Sequence, residues 1–237
     1  MHLRAAIPRH PSPRHSDAAH DESGRAGLRY RDAMSSDAND PASGNAVPHA
    51  PRIGEEIGDE QSLAAAIDEE VALSAHDPAW AQAFELERAR LQALLPGVFL
   101  AIEHIGSTAV PGLVAKPVID LLAAVESLDD VDVLIDQLCE NGYTTSHEFN
   151  ATLADRKWLM RWRDGRRTHH LHIVVRGGAP WHDRLAFRDA LRRDPALADR
   201  YATLKTELAL KHHADREAYT DAKAAFVREA VERSRRD

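Results

Sequence analysis

Two compact apolar runs of strand length, residues 98–105 and 118–125, are joined by the segment Gly106-Ser-Thr-Ala-Val-Pro-Gly-Leu-Val-Ala-Lys116. The first run is broken only by Glu103 and His104 near its end, and the second only by Asp120. A chain with this pair must build a sheet, and the turn between them must be shaped by its two glycines and its proline. A carboxylate within an apolar strand is costly unless it is ion-paired, hydrogen-bonded or metal-bound. Asp120 therefore needs a partner, and the rest of the chain must supply it.

The remaining elements can be read around this pair. Val71 and Leu73 predict a first short strand, and Asp77-Pro78 supplies an N-cap with a proline at the first helical position. Trp80, Phe84, Leu91 and Leu95 recur on one face of the helix that follows, until Pro96-Gly97 ends it. Ser127 with Asp130 makes a capping box ahead of a helix burying Val131, Leu134, Ile135 and Leu138, closed by Asn141-Gly142. Strands at 157–163 and 166–175 flank Asp164-Gly165, a strong hairpin signal. The last sixty residues read as helical, with Leu197, Tyr201, Leu204 and Leu208 on one stripe and Tyr219, Phe226 and Ala230 on another. The sum is an α+β domain over 69–237: a mixed sheet of four to five strands flanked by helices, with a helical C-terminal segment.

Charge divides the chain. Residues 1–70 hold thirteen acids against seven bases, so six of the eight net negative charges lie there, with half the prolines and a single aromatic, Tyr30. Such a segment has too little apolar surface to offset chain entropy, and 1–68 is expected to be a disordered low-complexity leader with a short helix at 63–67. Its histidines, His2, His10, His15, His20 and His49, have no regular spacing and read as a solvated tail rather than a metal trap. No run approaches the roughly 18 apolar residues of a membrane span, and residues 1–13 lack the apolar stretch of a secretory signal. A cytoplasmic protein without a membrane partner is expected, and the net charge of −8 argues against nucleic acid as one. A lone cysteine, Cys139, excludes an internal disulfide and a multi-cysteine zinc site.

The loop before Asp120 has the makings of phosphate chemistry. Glycine lets backbone approach an anion, a hydroxyl and free N–H groups hold phosphate oxygens, and a strand carboxylate holds a divalent cation. It is not a Walker A loop, because Lys116 does not follow a glycine and no Ser or Thr follows it. The plainer alternative is that Asp120 pairs with Lys116 or an arginine and that the glycines only shape a connection.

The string from Ile102 through Gly106, Ser107, Thr108 and Lys116 to Asp120 closely resembles the signature of the GrpB family, a branch of the nucleotidyltransferase superfamily. Asp77-Pro-Ala-Trp80, Thr168-His-His-Leu-His-Ile-Val174, Leu185-Ala-Phe-Arg-Asp-Ala-Leu191 and Tyr219-Thr-Asp-Ala-Lys-Ala-Ala-Phe226 resemble further segments of that family, in its order. The resemblance implies a nucleotidyltransferase-like mixed sheet, a nucleotide triphosphate held at Gly106, Ser107 and Thr108, and Asp120 as the first metal-binding acid. The alternate position, where the superfamily carries a second acid, is Leu122. A symmetric two-metal clamp is thereby put in doubt.

Histidines are the candidate substitutes. On the strand at 166–175, His170 and His172 project from one face and His169 from the other. Facing Asp120 and His104, they would make a cluster of three histidines and a carboxylate suited to zinc, with magnesium or manganese the cation if Asp120 acts with phosphate alone. A His–Asp hydrogen bond without metal, histidines that orient a substrate, and a structural pair remain alternatives. The histidine-triad hydrolases place three histidines at alternate strand positions, but here position 174 is valine and 168 threonine. Lys116 and Arg188 are the preferred phosphate ligands because they lie inside family-like strings, ahead of Arg161, Arg163, Arg166, Arg167, Lys205 and Lys223. Trp158 and Trp162 share a strand face and could stack a base or pack in the core. The expected function is binding of a nucleotide triphosphate with transfer of a nucleotidyl group to a small acceptor, with Asp120, His170 and His172 catalytic. The alternative is a noncatalytic nucleotide- or coenzyme-binding or regulatory module, of the kind the family resemblance associates with fusion to dephospho-CoA kinase.

Overall fold

The computed structural model describes residues 72–129, 131–212 and 216–236. The leader, the helix at 63–67, Val71 and Asp130 with its half of the capping box lie outside the described residues. The elements run α1 (Ala79–Leu94), β1 (Ala101–Ile105), a single 3-10 turn (Ser107–Ala109), β2 (Ile119–Val125), α2 (Val131–Glu140), β3 (Tyr143–Thr144), α3 (His147–Ala151), β4 (Arg156–Arg163) and β5 (Arg166–Val175). Four helices follow: α4 (Ala179–Arg193), α5 (Pro195–Lys211), α6 (Arg216–Asp221) and α7 (Ala224–Ser234). The strands form one mixed sheet in the order β1-β2-β5-β4-β3, with β2 and β5 parallel and the other pairs antiparallel.

Local chemistry explains most boundaries. Asp77 Oδ1 accepts the Ala79 N–H at 2.8 Å at the start of α1, and Gly97, at φ 77°, turns the chain after it. Asp164 and Gly165 have φ values of 53° and 69°, the left-handed pair that a two-residue hairpin between twisted strands demands. The expected first strand is reduced, among the described residues, to one bridge between Ser74 and Ala115. The fifth strand is instead the two-residue β3, too short to leave a periodic signal. The stripe through Tyr219, Phe226 and Ala230 is split between α6 and α7, and the break puts Lys223 Nζ 3.9 Å from the centre of the Tyr219 ring.

Side-chain alternation builds a layer on each face. Leu121 and Ala123 of β2, Leu171 and Ile173 of β5 and Leu159 of β4 pack against Trp80, Phe84 and Leu91 of α1 and Ile135 and Leu138 of α2. On the other face Ile105, Leu122 and Val174 meet Trp181 and Leu185 of α4. A third cluster, with Val110, Leu113, Leu191, Leu197 and Tyr201, ties the loop before β2 to the C-terminal helices. At the far edge of the first face, the buried Glu87 accepts hydrogen bonds from Arg90, from Arg161 and from Tyr143 Oη at 2.6 Å. Burial would raise its pKa, but these partners outweigh the penalty and hold it below the ordinary value.

Burial, with Arg188 and Arg192 adding to it, pushes the His104 pKa down to about 4, and burial with Arg161 and Arg90 does the same to His169. Both remain neutral in the folded chain while the unfolded chain protonates near pH 6.5. Protons are thus taken up on unfolding throughout this window, and stability falls as pH drops from about 6.5 to about 4. Urea denaturation followed by tryptophan fluorescence is expected to show a decline of at most about 1.4 kcal/mol per pH unit for each such histidine. His169→Gln is expected to flatten the slope, and a pH-independent midpoint across the window would refute this account.

Candidate active site

In the register of the sheet, Asp120 lies between Ile105 of β1 and His170 of β5, on the face that α4 covers. His170 Nδ1 is 2.8 Å from its Oδ1. The other oxygen lies against the loop: a Cβ built on Gly106 would sit 2.1 Å from Asp120 Oδ2, and Gly106 has φ 71°. Only glycine serves there, both for conformation and for space. The anion that this glycine lets approach is the chain's own carboxylate.

The partner strand carries an irregularity that completes the pair. Arg161 stands opposite His169 but Trp162 stands opposite Arg167, so Thr168 is skipped and strict alternation is broken. Counting by twos would put Arg167 on the Glu87 face with His169. The bulge turns it onto the face of His170 instead. There Arg167, only 3% exposed, lies 5.3 Å from the centre of the Trp162 ring and sets NH1 3.2 Å from His170 Nε2. A guanidinium has donors and no acceptor, so Nε2 carries the lone pair and Nδ1–H donates to Asp120.

Cations surround this single carboxylate. Burial works to raise the Asp120 pKa, but the His170 hydrogen bond and the charges of Arg184 and Lys223 hold it below the ordinary carboxylate value. Arg184, on α4, is brought down to about 10 by burial and by Arg156, and its Nε is buried without a hydrogen-bond partner. His172, beside Leu122 in register, is held well below its usual pKa by burial and by Arg184, which keeps it neutral, and its buried Nδ1 also lacks a partner. Asp120, His170 and His172 therefore share one face, the condition on which the sequence-derived cluster rested, with Arg184 and Arg167 as cationic neighbours.

Other candidates are placed differently. His104 pairs in register with Leu121, faces α1, stacks on Phe84 at 4.7 Å and bonds Thr108 Oγ1 at 3.0 Å. It cannot join a cluster around Asp120, because adjacent residues of a strand face opposite sides. Thr108 is buried and donates to the Val118 carbonyl at 3.3 Å, bracing the turn. Arg188 is committed to Glu103 at 2.8 Å, the His104 carbonyl at 3.0 Å and Asp189 at 2.7 Å, clamping α4 to β1. Lys116 is half-buried in the loop ahead of β2. Ser107 Oγ accepts from Lys205 Nζ at 3.0 Å, and Lys205 also donates to the Val114 carbonyl. Lys205 is 2% exposed, and burial, reinforced by Lys223, brings its pKa down to about 7.

Among the described residues no three His, Cys, Asp or Glu side chains converge as a metal site. The expected zinc cluster does not fit: His104 is on the wrong face, and both His170 nitrogens are engaged by Asp120 and Arg167. Arg184 escaped sequence reading although it lies between Trp181 and Leu185, on the stripe that α4 turns to the sheet. Lys205 ranked from sequence only among the lesser basic candidates, although its place four residues after the buried Tyr201 puts it on the inward stripe of α5. No helix among the described residues is long and apolar enough to cross a membrane.

The sequence model described as GrpB protein matches residues 70–233. The chain belongs to the GrpB family. It is 36% identical over 157 residues to the UPF0157 protein YqkA of Bacillus subtilis, covering 66% of this chain but only 45% of YqkA. The crystal structure of conserved protein GrpB from Enterococcus faecalis superposes with a TM-score of 0.62 at 38% identity, covering 69% of this chain and 96% of that one. A dephospho-CoA kinase of Mycolicibacterium paratuberculosis is 30% identical over 181 residues, 67% of this chain and 44% of the kinase.

Two outcomes test the geometry. Gly106→Ala is expected to destabilise by about 2 kcal/mol or more through backbone strain and the clash with Asp120. In an Asp120→Gly background the clash is gone, so a double-mutant cycle by urea denaturation should return a coupling above about 0.5 kcal/mol, and strict additivity would count against the contact. Long-range nitrogen–proton NMR at neutral pH should find His170 as the Nδ1–H tautomer, with the Nε2–H form gaining population in Arg167→Met. A wild-type Nε2–H signal would overturn the hydrogen-bond order.

Proposed function

We propose that this chain binds a nucleotide triphosphate, or another small molecule bearing phosphate, on the Asp120 face of the sheet. The observation that carries the reading is Arg184, a guanidinium whose buried Nε has no partner, within the fields of Asp120 and Arg156. A buried guanidinium N–H without an acceptor is costly, and a phosphate supplies negative charge together with the paired acceptors that a guanidinium fits. Asp120 offers one carboxylate to a magnesium or manganese ion arriving with the triphosphate, an ion that takes its other ligands from phosphate oxygens and water.

Nucleotidyl transfer is supported by the state of His170. With Nδ1–H held by Asp120, Nε2 is an oriented base. An acceptor hydroxyl that displaces Arg167 from Nε2 would give its proton to that nitrogen, its oxygen would bond to the α-phosphorus, and pyrophosphate would leave. The second reading, a noncatalytic binding or regulatory module, is favoured by Leu122, which is fully buried among Ile105, Val174, Trp181 and Leu185 where the superfamily's second acid would stand. The similarity to part of a dephospho-CoA kinase supports it as well.

Calorimetry with ATP, GTP and dephospho-CoA, with magnesium or chelator, tests both. Arg184→Met is expected to weaken binding at least tenfold, about 1.4 kcal/mol. His170→Asn should abolish pyrophosphate release from ATP and an acceptor pool while ATP affinity stays within a few-fold. Binding without release by the wild-type chain would select the module, and absence of binding to any of these ligands would sink the proposal.

A further inference from the structure

On β4, two strands away from Asp120, the same face of the sheet presents an indole. Trp158 stands opposite His172 in register, its ring 5.6 Å from that of His170 and tilted by 48°. Phe149 of α3 stands nearly perpendicular to it, the ring centres 5.8 Å apart. The other tryptophan of this strand, Trp162, lies under the Arg167 guanidinium. Trp158 is half-buried and belongs to neither of the apolar clusters that cover the two faces, while Met160, two residues on, is fully buried.

The backbone beneath this ring is held with unusual care. β3 pairs only with Met160 and Arg161, so at Trp158 the edge of β4 has passed the end of its neighbouring strand. Two buried side chains take over. Asn150 Oδ1 accepts the Trp158 N–H at 2.7 Å, Asn150 Nδ2 donates to the Trp158 carbonyl at 3.1 Å, and Thr145 Oγ1 donates to the same carbonyl. Asn150 and Thr145 are each 3% exposed. They satisfy both backbone groups of one residue without another strand, and fix the position of the half-buried indole above it.

We infer that Trp158 is the stacking platform for the planar ring of the ligand, so that the site selects base-bearing phosphates over bare polyphosphate. The inference rests on the phosphate-binding reading above. Two strand spacings, about 10 Å, separate the Asp120 strand from the Trp158 strand. That leaves room for a sugar between a phosphate held beside Asp120 and a base on the indole. Arg156, on the same strand and two residues before Trp158, adds positive charge on that side of the site, as its repulsion of Arg184 and His172 shows. A ring with a π-face stacks here without sequence of donors and acceptors to match, so the platform favours nucleobases as a class rather than one base.

The experiment compares ATP with inorganic tripolyphosphate, both with magnesium, on the full chain by calorimetry. Trp158→Ala is expected to weaken ATP binding about tenfold to a hundredfold, the range for loss of one base stack, and to leave tripolyphosphate affinity within twofold. Trp158→Phe should restore most of the ATP affinity, and serves as the folded control if the alanine variant unfolds. Equal weakening of both ligands, unchanged ATP binding in the alanine variant, or failure of phenylalanine to rescue would overturn the platform while leaving the phosphate site standing. Failure of the wild-type chain to bind either ligand would instead remove the phosphate site, and the platform with it.

Discussion

The hydrogen bond between Asp120 and His170 is the constraint around which this molecule is arranged. A carboxylate in the second strand of a sheet would be expelled or neutralised without it, and each neighbour answers to its presence. Gly106 has no side chain because Asp120 Oδ2 takes that space. His170 adopts one tautomer because Arg167 donates to its other nitrogen. Arg184 and Lys223 bring compensating charge from the helical layer. The fold supplies a parallel pairing of β2 with β5, which places these two residues side by side although they are fifty positions apart.

The helical C-terminal segment is not an appendage to this sheet. Lys205 reaches from α5 to the Ser107 hydroxyl, and Lys223 from the turn before α7 contributes to the field at Asp120. Arg188 and Arg192 bind the β1 strand end and the Ala109 carbonyl from α4. The loop between the two apolar strands is therefore built by the sheet and braced by helices more than eighty residues away in sequence. A loop shaped only by its own glycines would have been less well determined.

Much of this was legible because it is written locally. Asp77-Pro78, Pro96-Gly97 and Asp164-Gly165 specify their own backbone geometry, and the structure has each turn where those residues call for it. Asp120 stood out because an acid in an apolar strand must have a partner, and counting by twos put His170 and His172 on one face, while only the parallel register of β2 with β5 sets that face beside Asp120. Counting also misled. The cluster drawn with His104 ignored that a neighbour of Ile105 must face away from Asp120, and Arg188, inside a family-like string, turned out to brace α4 against β1. Arg167 could not be placed at all, because one skipped residue inverts the parity of everything beyond it. Short elements such as β3 and α3 leave too few residues for a period to be seen.

The skipped residue also fixes how the strand is indexed. His169 and His170 are consecutive, yet one looks toward the Glu87 network and the other toward Asp120, so β5 carries two separate charge systems on its two faces. Sliding the strand by one position would bring each histidine to the wrong acid. Sliding it by two would restore the faces but misalign the bulge at Thr168, whose hydroxyl bonds the Arg161 carbonyl at 3.2 Å. The irregularity thus acts as a detent, a notch that admits the hairpin in a single setting and makes every other alignment of the sheet pay twice.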